Sequence, residues 1–270
     1  MFRFLLVAAL AALSVLPAHA QGTVPPQLLD TTRPVGNVIR FCLDTLSPGA
    51  DFDRDVAQAV ADAALLEAQF VEAPGGFPLD AAGYLDELRL AMNNTCEVLP
   101  GISLQPGLAV PEWASVTRPY ADVPFVLVVT NPAYRRLGDV PHDRRIGTAI
   151  GGVGERAVIA YMEAVRPEQR WTRLPYADPE LMLRRLRDGT IDAMVLWQPV
   201  LARIAPDAPD LRIIPADPVP ETSVPVGMLV TARDQFLRTL IDDTIAALAA
   251  DGTLAALMEK HGYLGTPGPQ

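Results

Sequence analysis

The feature that most constrains this chain is a repeated alternation of short apolar, strand-like runs with amphipathic, helix-like stretches. Val38–Leu43 is rich in β-formers, and Asp53–Leu66 then places Val56, Ala59, Val60, Ala63 and Ala64 at helical spacing. Ala68–Glu72 reads as a strand stopped by Pro74-Gly75-Gly76, and Asp80–Asn93 as a helix with Tyr84, Leu85, Leu88 and Met92 on one stripe. Cys96–Ile102 and Val123–Thr130 read as strands. A second set follows: strand Arg145–Ile150, helix Glu155–Val165, strand Arg170–Leu174, a helix from Asp178 to Gly189, and strand Ile191–Trp197. Asp178-Pro179-Glu180 is a strong helix start, with an N-cap acid, proline at the first helical position and a second acid near the positive helix end. Leu211–Pro215 and Val224–Thr231 are further strands, and the chain closes with helices over Asp234–Ala250 and Leu254–Lys260. Strands this continuous in apolar residues are buried on both faces. The alternation therefore predicts an α/β protein with two mostly parallel sheets, each flanked by helices. The two sets meet near Thr130–Tyr134 and Pro218–Thr222.

The first twenty residues are a separate matter. One charge at Arg3, the apolar run Phe4–Pro17 and Ala18-His19-Ala20 form the pattern of a cleavable secretory signal, residues 1–20. The run is shorter than the roughly 20 residues a span requires. The mature chain is expected to be a periplasmic monomer that is not inserted in the membrane. Residues 21–34, with Pro25, Pro26 and Pro34, read as an unstructured lead-in. In an oxidising compartment two cysteines favour a bond, so Cys42 and Cys96 are read as a disulfide, with two buried free thiols as the alternative. A loop of this length would stabilise the fold by roughly 4 kcal/mol on the chain-entropy model.

Composition narrows function. With 22 basic against 32 acidic residues the net charge is −10, and no stretch is basic enough to follow a phosphate backbone, which excludes nucleic acid as a partner. Beyond the signal only His142 and His261 remain, neither with a second ligand at metal spacing, so no metal site is expected. Gly101-Ile102-Ser103-Leu104-Gln105 misses the last glycine of a nucleophile elbow. The scarcity of His and Cys points away from an enzyme, and no cofactor is expected.

Particular motifs carry a resemblance. Phe52-Asp53-Arg54-Asp55-Val56-Ala57, Cys96–Ser103, Arg118-Pro119-Tyr120, Asp188-Gly189-Thr190-Ile191-Asp192-Ala193 and Ala250-Asp251-Gly252-Thr253-Leu254 follow in the order and spacing of the extracellular solute-binding proteins of family 3. The chain resembles these two-lobed periplasmic receptors of ABC importers. The resemblance implies a type II periplasmic-binding-protein fold, two lobes joined by two hinge strands. Lobe 1 is expected over residues 35–130 plus 221–264, lobe 2 over 131–220, and a tail over 265–270. It implies capture of a small polar or anionic solute between the lobes for an ABC permease. Asn94-Thr95-Cys96-Glu97, Thr117-Arg118-Pro119-Tyr120 and Leu196-Trp197-Gln198-Pro199 are similar to a narrower branch, associated with quinoprotein methanol dehydrogenases. The second reading is accordingly a periplasmic accessory of such a dehydrogenase, with methanol oxidation as its setting. Amino-acid receptors of the family carry an Arg beyond the Ser103 position and an Asp at the Trp197 position. Both are missing here, which argues against a standard amino acid.

The candidate ligand residues follow from these placements. Asp44 and Thr45 lie just past the first strand, where α/β sheets open their ligand crevice. Gly101, Ser103 and Gln105 lie at the exit of the third strand. In Ile150–Arg156 (IGGVGER), Gly152 and Val153 open a helix whose free N–H groups suit an anionic or carbonyl group, with a tight structural turn as the plainer reading. Gly152–Ala157 also fits G-x-G-x-x-A, but Thr172 stands where a dinucleotide site needs an acid. Trp197 offers an apolar wall with an indole donor, or core packing. Arg118 is the candidate cation, with a surface pairing as its alternative, and Tyr120 reads as packing.

Overall fold

The computed structural model describes residues 36–74, 83–105 and 109–268. The export signal, the lead-in and the start of the expected helix at Asp80 lie outside the described residues. Strands β1 (Val38–Leu43), β2 (Glu67–Glu72), β3 (Val98–Ser103) and β4 (Ala114–Val116) alternate with helices α1 (Ala50–Ala63) and α2 (Tyr84–Asn94). The long strand β5 (Ala121–Val129) leads into β6 (Arg145–Ala149), α3 (Val153–Ala164), β7 (Thr172–Tyr176), α4 (Pro179–Arg187), β8 (Ala193–Trp197), α5 (Gln198–Ile204) and β9 (Arg212–Ile214). The chain returns through β10 (Ser223–Thr231) to α6 (Gln235–Ala250), α7 (Thr253–Lys260) and β11 (Thr266–Pro267).

The strand order β2-β1-β3-β10-β5-β8-β6-β7 divides into two lobes at β5. In lobe 1, β2, β1 and β3 run parallel, while β10 is antiparallel to both β3 and β5. In lobe 2, β7, β6 and β8 run parallel, with β5 antiparallel at the edge. β5 serves both sheets: Ala121–Pro124 pair with β10, and Phe125–Val128 pair with β8. The changeover at Pro124–Phe125, together with the returning segment before β10, forms the pair of hinge strands.

Each sheet is covered on both faces because its strand residues alternate into two apolar clusters. In lobe 1, Phe41, Val98, Val226 and Met228 pack on α1, α6 and α7, whereas Cys42, Leu99 and Leu229 face Leu88 and Met92 of α2. In lobe 2, Leu127, Ile146 and Val195 pack on Val158 of α3, whereas Val128, Met194 and Leu196 pack on α4 and α5. A disulfide joins Cys42 of β1 to Cys96 just before β3, with Cα atoms 5.5 Å apart. Arg40 and Glu97 brace the same seam: the Arg40 N–H donates to Glu97 Oε2 at 2.6 Å.

Several boundaries differ from the sequence reading. α1 begins at Ala50, three residues earlier than expected, because Gly49 supplies the turn that frees its first N–H groups, and it stops before Leu65, whose φ of 57° ends the helix. β7 lies two residues later than Arg170–Leu174, because a short 3-10 turn over Pro167–Gln169 precedes it and Trp171 turns inward to donate its indole N–H to the Val140 carbonyl at 2.9 Å. α5 was not expected: β8 runs directly into it without a breaker, and its proline sits in the first turn, where no N–H is needed. The tail is not merely terminal, since β11 pairs with Ala121 and Asp122 of β5.

Candidate functional site

In both lobes the parallel strands end in turns at their carboxyl ends, the position where α/β sheets bind ligands. Among the described residues three hydrogen bonds cross between the lobes there. Arg156 of α3 donates to Gln105 Oε1 beyond β3 at 2.9 Å, and Arg203 of α5 donates to the Leu46 carbonyl beyond β1 at 2.9 Å. Gln198, the first residue of α5, donates through Nε2 to the Gly262 carbonyl after α7 at 2.9 Å. These contacts fix which surfaces of the two lobes face one another.

On the lobe 1 side, Asp44 Oδ1 accepts the Leu46 N–H at 3.0 Å, and exposed Thr45 bonds Glu72 of β2 at 3.4 Å. The Ser103 hydroxyl accepts from Gln105 Nε2 at 3.1 Å, so Ser103, Gln105 and Arg156 form one chain across the junction. Gly101 plays a different part from its expected one. It has φ +85°, its N–H donates to the Tyr120 hydroxyl at 2.9 Å, and a Cβ there would lie 2.5 Å from Asp53 Oδ2. The Tyr120 hydroxyl in turn donates to Asp53 Oδ1 at 2.5 Å. Asp53, 4% exposed, is pushed up to about 7 by burial, with the nearby Asp44 charge adding to it and the Tyr120 bond opposing it. Gly101, Tyr120 and Asp53 thus back the wall from behind.

On the lobe 2 side, Gly152 caps α3 without a side-chain bond, and Val153 is its first residue. The glycines of this turn admit Phe125 of β5: a Cβ at Gly152 or Gly154 would come within 2.8 Å of its ring. That close approach accounts for the glycine spacing without a dinucleotide. Glu155 folds back over the turn and is fully occupied. It accepts from the Gly151 N–H at 2.8 Å, the Thr148 hydroxyl at 2.8 Å and Arg173 at 2.6 Å.

Trp197 ends β8 opposite Phe125 and shares a strand face with Val195, which touches the Gly154 turn. Its ring nevertheless packs against the core of lobe 1, so it spans the junction. The Trp197 indole Nε1 and Gln198 Oε1 are buried without hydrogen-bond partners among the described residues. A buried donor and acceptor left unpaired are costly and mark a place where another polar group belongs.

Arg118 does not join this group. Its backbone N–H donates to Asp242 Oδ1 on α6 at 2.6 Å, and the residue is exposed. The residues not singled out from the sequence are Arg156, Arg203, Gln198 and Phe125. Arg156 had a local signal, lying in the first turn of a helix that follows a parallel strand. Arg203 had none, because α5 itself was not expected.

These features define the class of fold: a two-lobed type II periplasmic-binding-protein fold. Solved structures agree, although no protein-family model and no curated protein sequence matches the chain. The second substrate-binding domain of GlnP from Lactococcus lactis, in an open conformation, superposes with a TM-score of 0.64 at 16% identity, covering 84% of this chain and 96% of that domain. The amino acid ABC transporter substrate-binding protein AbpA from Streptococcus pneumoniae, bound to L-arginine, gives 0.53 at 16% identity over 83% and 93%. The GluR0 ligand-binding core in complex with L-glutamate gives 0.58 at 16% identity over 84% and 98%. At these identities the likeness establishes the fold.

Proposed function

We propose that this chain is a periplasmic solute receptor that captures a small polar or anionic solute between its lobes and delivers it to an ABC permease. The observation that carries the reading is the set of hydrogen bonds that joins strand-end turns of both lobes, with the buried, unpartnered indole N–H of Trp197 at the end of β8. Lobe 1 contributes Asp44, Thr45, Ser103 and Gln105, with Gly101 shaping the wall from behind. Lobe 2 contributes Gly152, Val153 and Trp197. The division used is residues 35–130 plus 221–264 for lobe 1 and 131–220 for lobe 2, with the bend inside β5. Hinge closure around the solute couples occupancy to recognition by the permease; no covalent step is involved. Two of the similar structures hold amino acids, L-arginine and L-glutamate. This chain has Trp197 and no carboxylate at the end of β8, so its solute is not a standard amino acid. The accessory role beside a quinoprotein dehydrogenase has no observation in the structure that favours it. Among the described residues no helix is long and apolar enough to cross a membrane.

The test is a thermal-shift screen of the mature chain against carboxylates, alcohols and amino acids, followed by calorimetry. A true ligand at a hundred times its Kd stabilises by about 2.7 kcal/mol. At least one compound is expected to do so, and Trp197→Ala to abolish the shift. A folded chain that responds to nothing refutes the receptor reading.

A further inference from the structure

The charged groups that lobe 2 turns toward lobe 1, and the indole beside them, have a common property; the amide of Gln198 is the neutral exception. Arg156 donates through one terminal nitrogen to the Gly151 carbonyl and through the other to Gln105 Oε1. Arg203 donates to the Leu46 carbonyl, and the Trp197 indole N–H has no partner among the described residues. All three can only donate. Neither arginine has a carboxylate partner among the described residues; both end on neutral oxygens. The carboxylate beside them in sequence, Glu155, is buried and occupied by Arg173, Thr148 and the Gly151 N–H. A solute's ammonium group would find only the neutral Gln198 Oε1 on this wall and would face two guanidinium charges. An acid anion would find two cations and an indole donor.

Resting on the receptor reading above, we infer that the solute is a small carboxylate without an amine, and that Arg156 grips its carboxylate by releasing Gln105. The exchange replaces a neutral amide acceptor with an ionised one, and charge-assisted hydrogen bonds are the stronger kind. It also gives Gln105 a role: its amide holds the guanidinium across the junction, and once released it is free, with Ser103, to bond the solute from lobe 1. Phe125 and Trp197 supply the apolar surface for the carbon skeleton. The acceptor on the opposite wall is Asp44, whose Oδ1 already holds the Leu46 N–H and so shapes the turn that meets Arg203.

The experiment is titration calorimetry with matched compounds: pyruvate, lactate, 4-methyl-2-oxopentanoate, benzoate and phenylacetate against L-alanine, L-leucine, L-phenylalanine, lactamide, benzamide and phenylacetamide. At least one acid is expected to bind, with its amide and its amino-acid counterpart about a hundredfold weaker or undetectable. Arg156→Gln should weaken that acid about a hundredfold, Arg156→Lys about tenfold, and Arg118→Gln less than twofold. Circular dichroism checks that each variant is folded. An amino acid that binds as well as its deaminated acid, and loses binding in Asp44→Asn, overturns the inference and leaves the receptor reading standing. So does an acid whose affinity Arg156→Gln leaves unchanged. Silence across the whole panel overturns both.

Discussion

The wall that lobe 1 presents to the junction rests on covalent and buried supports: the Cys42–Cys96 bridge between β1 and the start of β3, and the Asp53–Tyr120–Gly101 chain directly behind the β3 exit. The wall of lobe 2 has no disulfide. Its supports are one partly buried ion pair, Glu155–Arg173 at 2.6 Å, and the wedge of Phe125 under a glycine turn. The groups they hold differ as well. Lobe 1 offers hydroxyl, amide and carboxyl oxygens, whereas lobe 2 offers two arginines, the Trp197 indole N–H and the neutral Gln198 amide. The contrast suggests a division of labour, in which lobe 1 is the fixed platform and lobe 2 carries the cations that close onto it.

The largest expected effect breaks the platform. Cys42→Ser with Cys96→Ser should lower stability by about 4 kcal/mol, read from urea unfolding. Hydrogen exchange should speed up in β1 and β3 while β6 to β8 keep their protection; uniform loosening of both lobes would contradict the division.

Next comes a paired comparison of turns. Gly101→Ala must place a Cβ at φ +85° and 2.5 Å from Asp53, and is expected to cost about 3 kcal/mol. Gly152→Ala, at φ −71°, meets the edge of the Phe125 ring at 2.8 Å and the Ala149 carbonyl at 3.3 Å and should cost about 1–2 kcal/mol. Equal costs would show that the two walls are equally rigid.

The last test is a matter of pH. The folded chain keeps a proton on Asp53 up to about pH 7, whereas a free aspartate carboxyl ionises near 3.8. The folded state therefore binds more protons in that window. Stability from this group is fully present below about pH 4, falls as pH rises toward 7, and stays level above. The slope is at most about 1.4 kcal/mol per pH unit. Asp53→Asn, which keeps an acceptor for Tyr120 and carries no charge, should flatten that fall in denaturation midpoints across the window. An unchanged slope would place the titration elsewhere.

Much of the architecture was legible in the chain itself. Continuous apolar strands separated by amphipathic stretches dictate sheets with helices on both faces, and Asp178-Pro179-Glu180 starts α4 with its side-chain oxygen accepting the N–H groups of Glu180 and Leu181. The turn residues Asp44, Thr45, Ser103, Gln105, Gly152 and Val153 could be placed because the carboxyl ends of parallel strands are where such sheets open. Short elements were not legible. β4, α5 and β11 owe their existence to neighbours already in place, and nothing local distinguishes them.

The periodicity of the sequence thus determined two lobes, their helical cover and the ends of the strands that face each other, since burial patterns are local and follow the period of each element. Which cation faces the junction was decided only by tertiary structure. Arg118 and Arg156 are chemically the same side chain. Arg118 meets α6 through its backbone N–H on Asp242, while the Arg156 guanidinium is set by the first turn of α3 to reach Gln105 across the junction. Likewise Gly101 and Gly152 look alike as turn glycines, yet one makes room for a buried carboxyl and the other for an aromatic ring. The identity of the atom across the gap is a property of two segments distant in sequence, and only the folded chain brings them together.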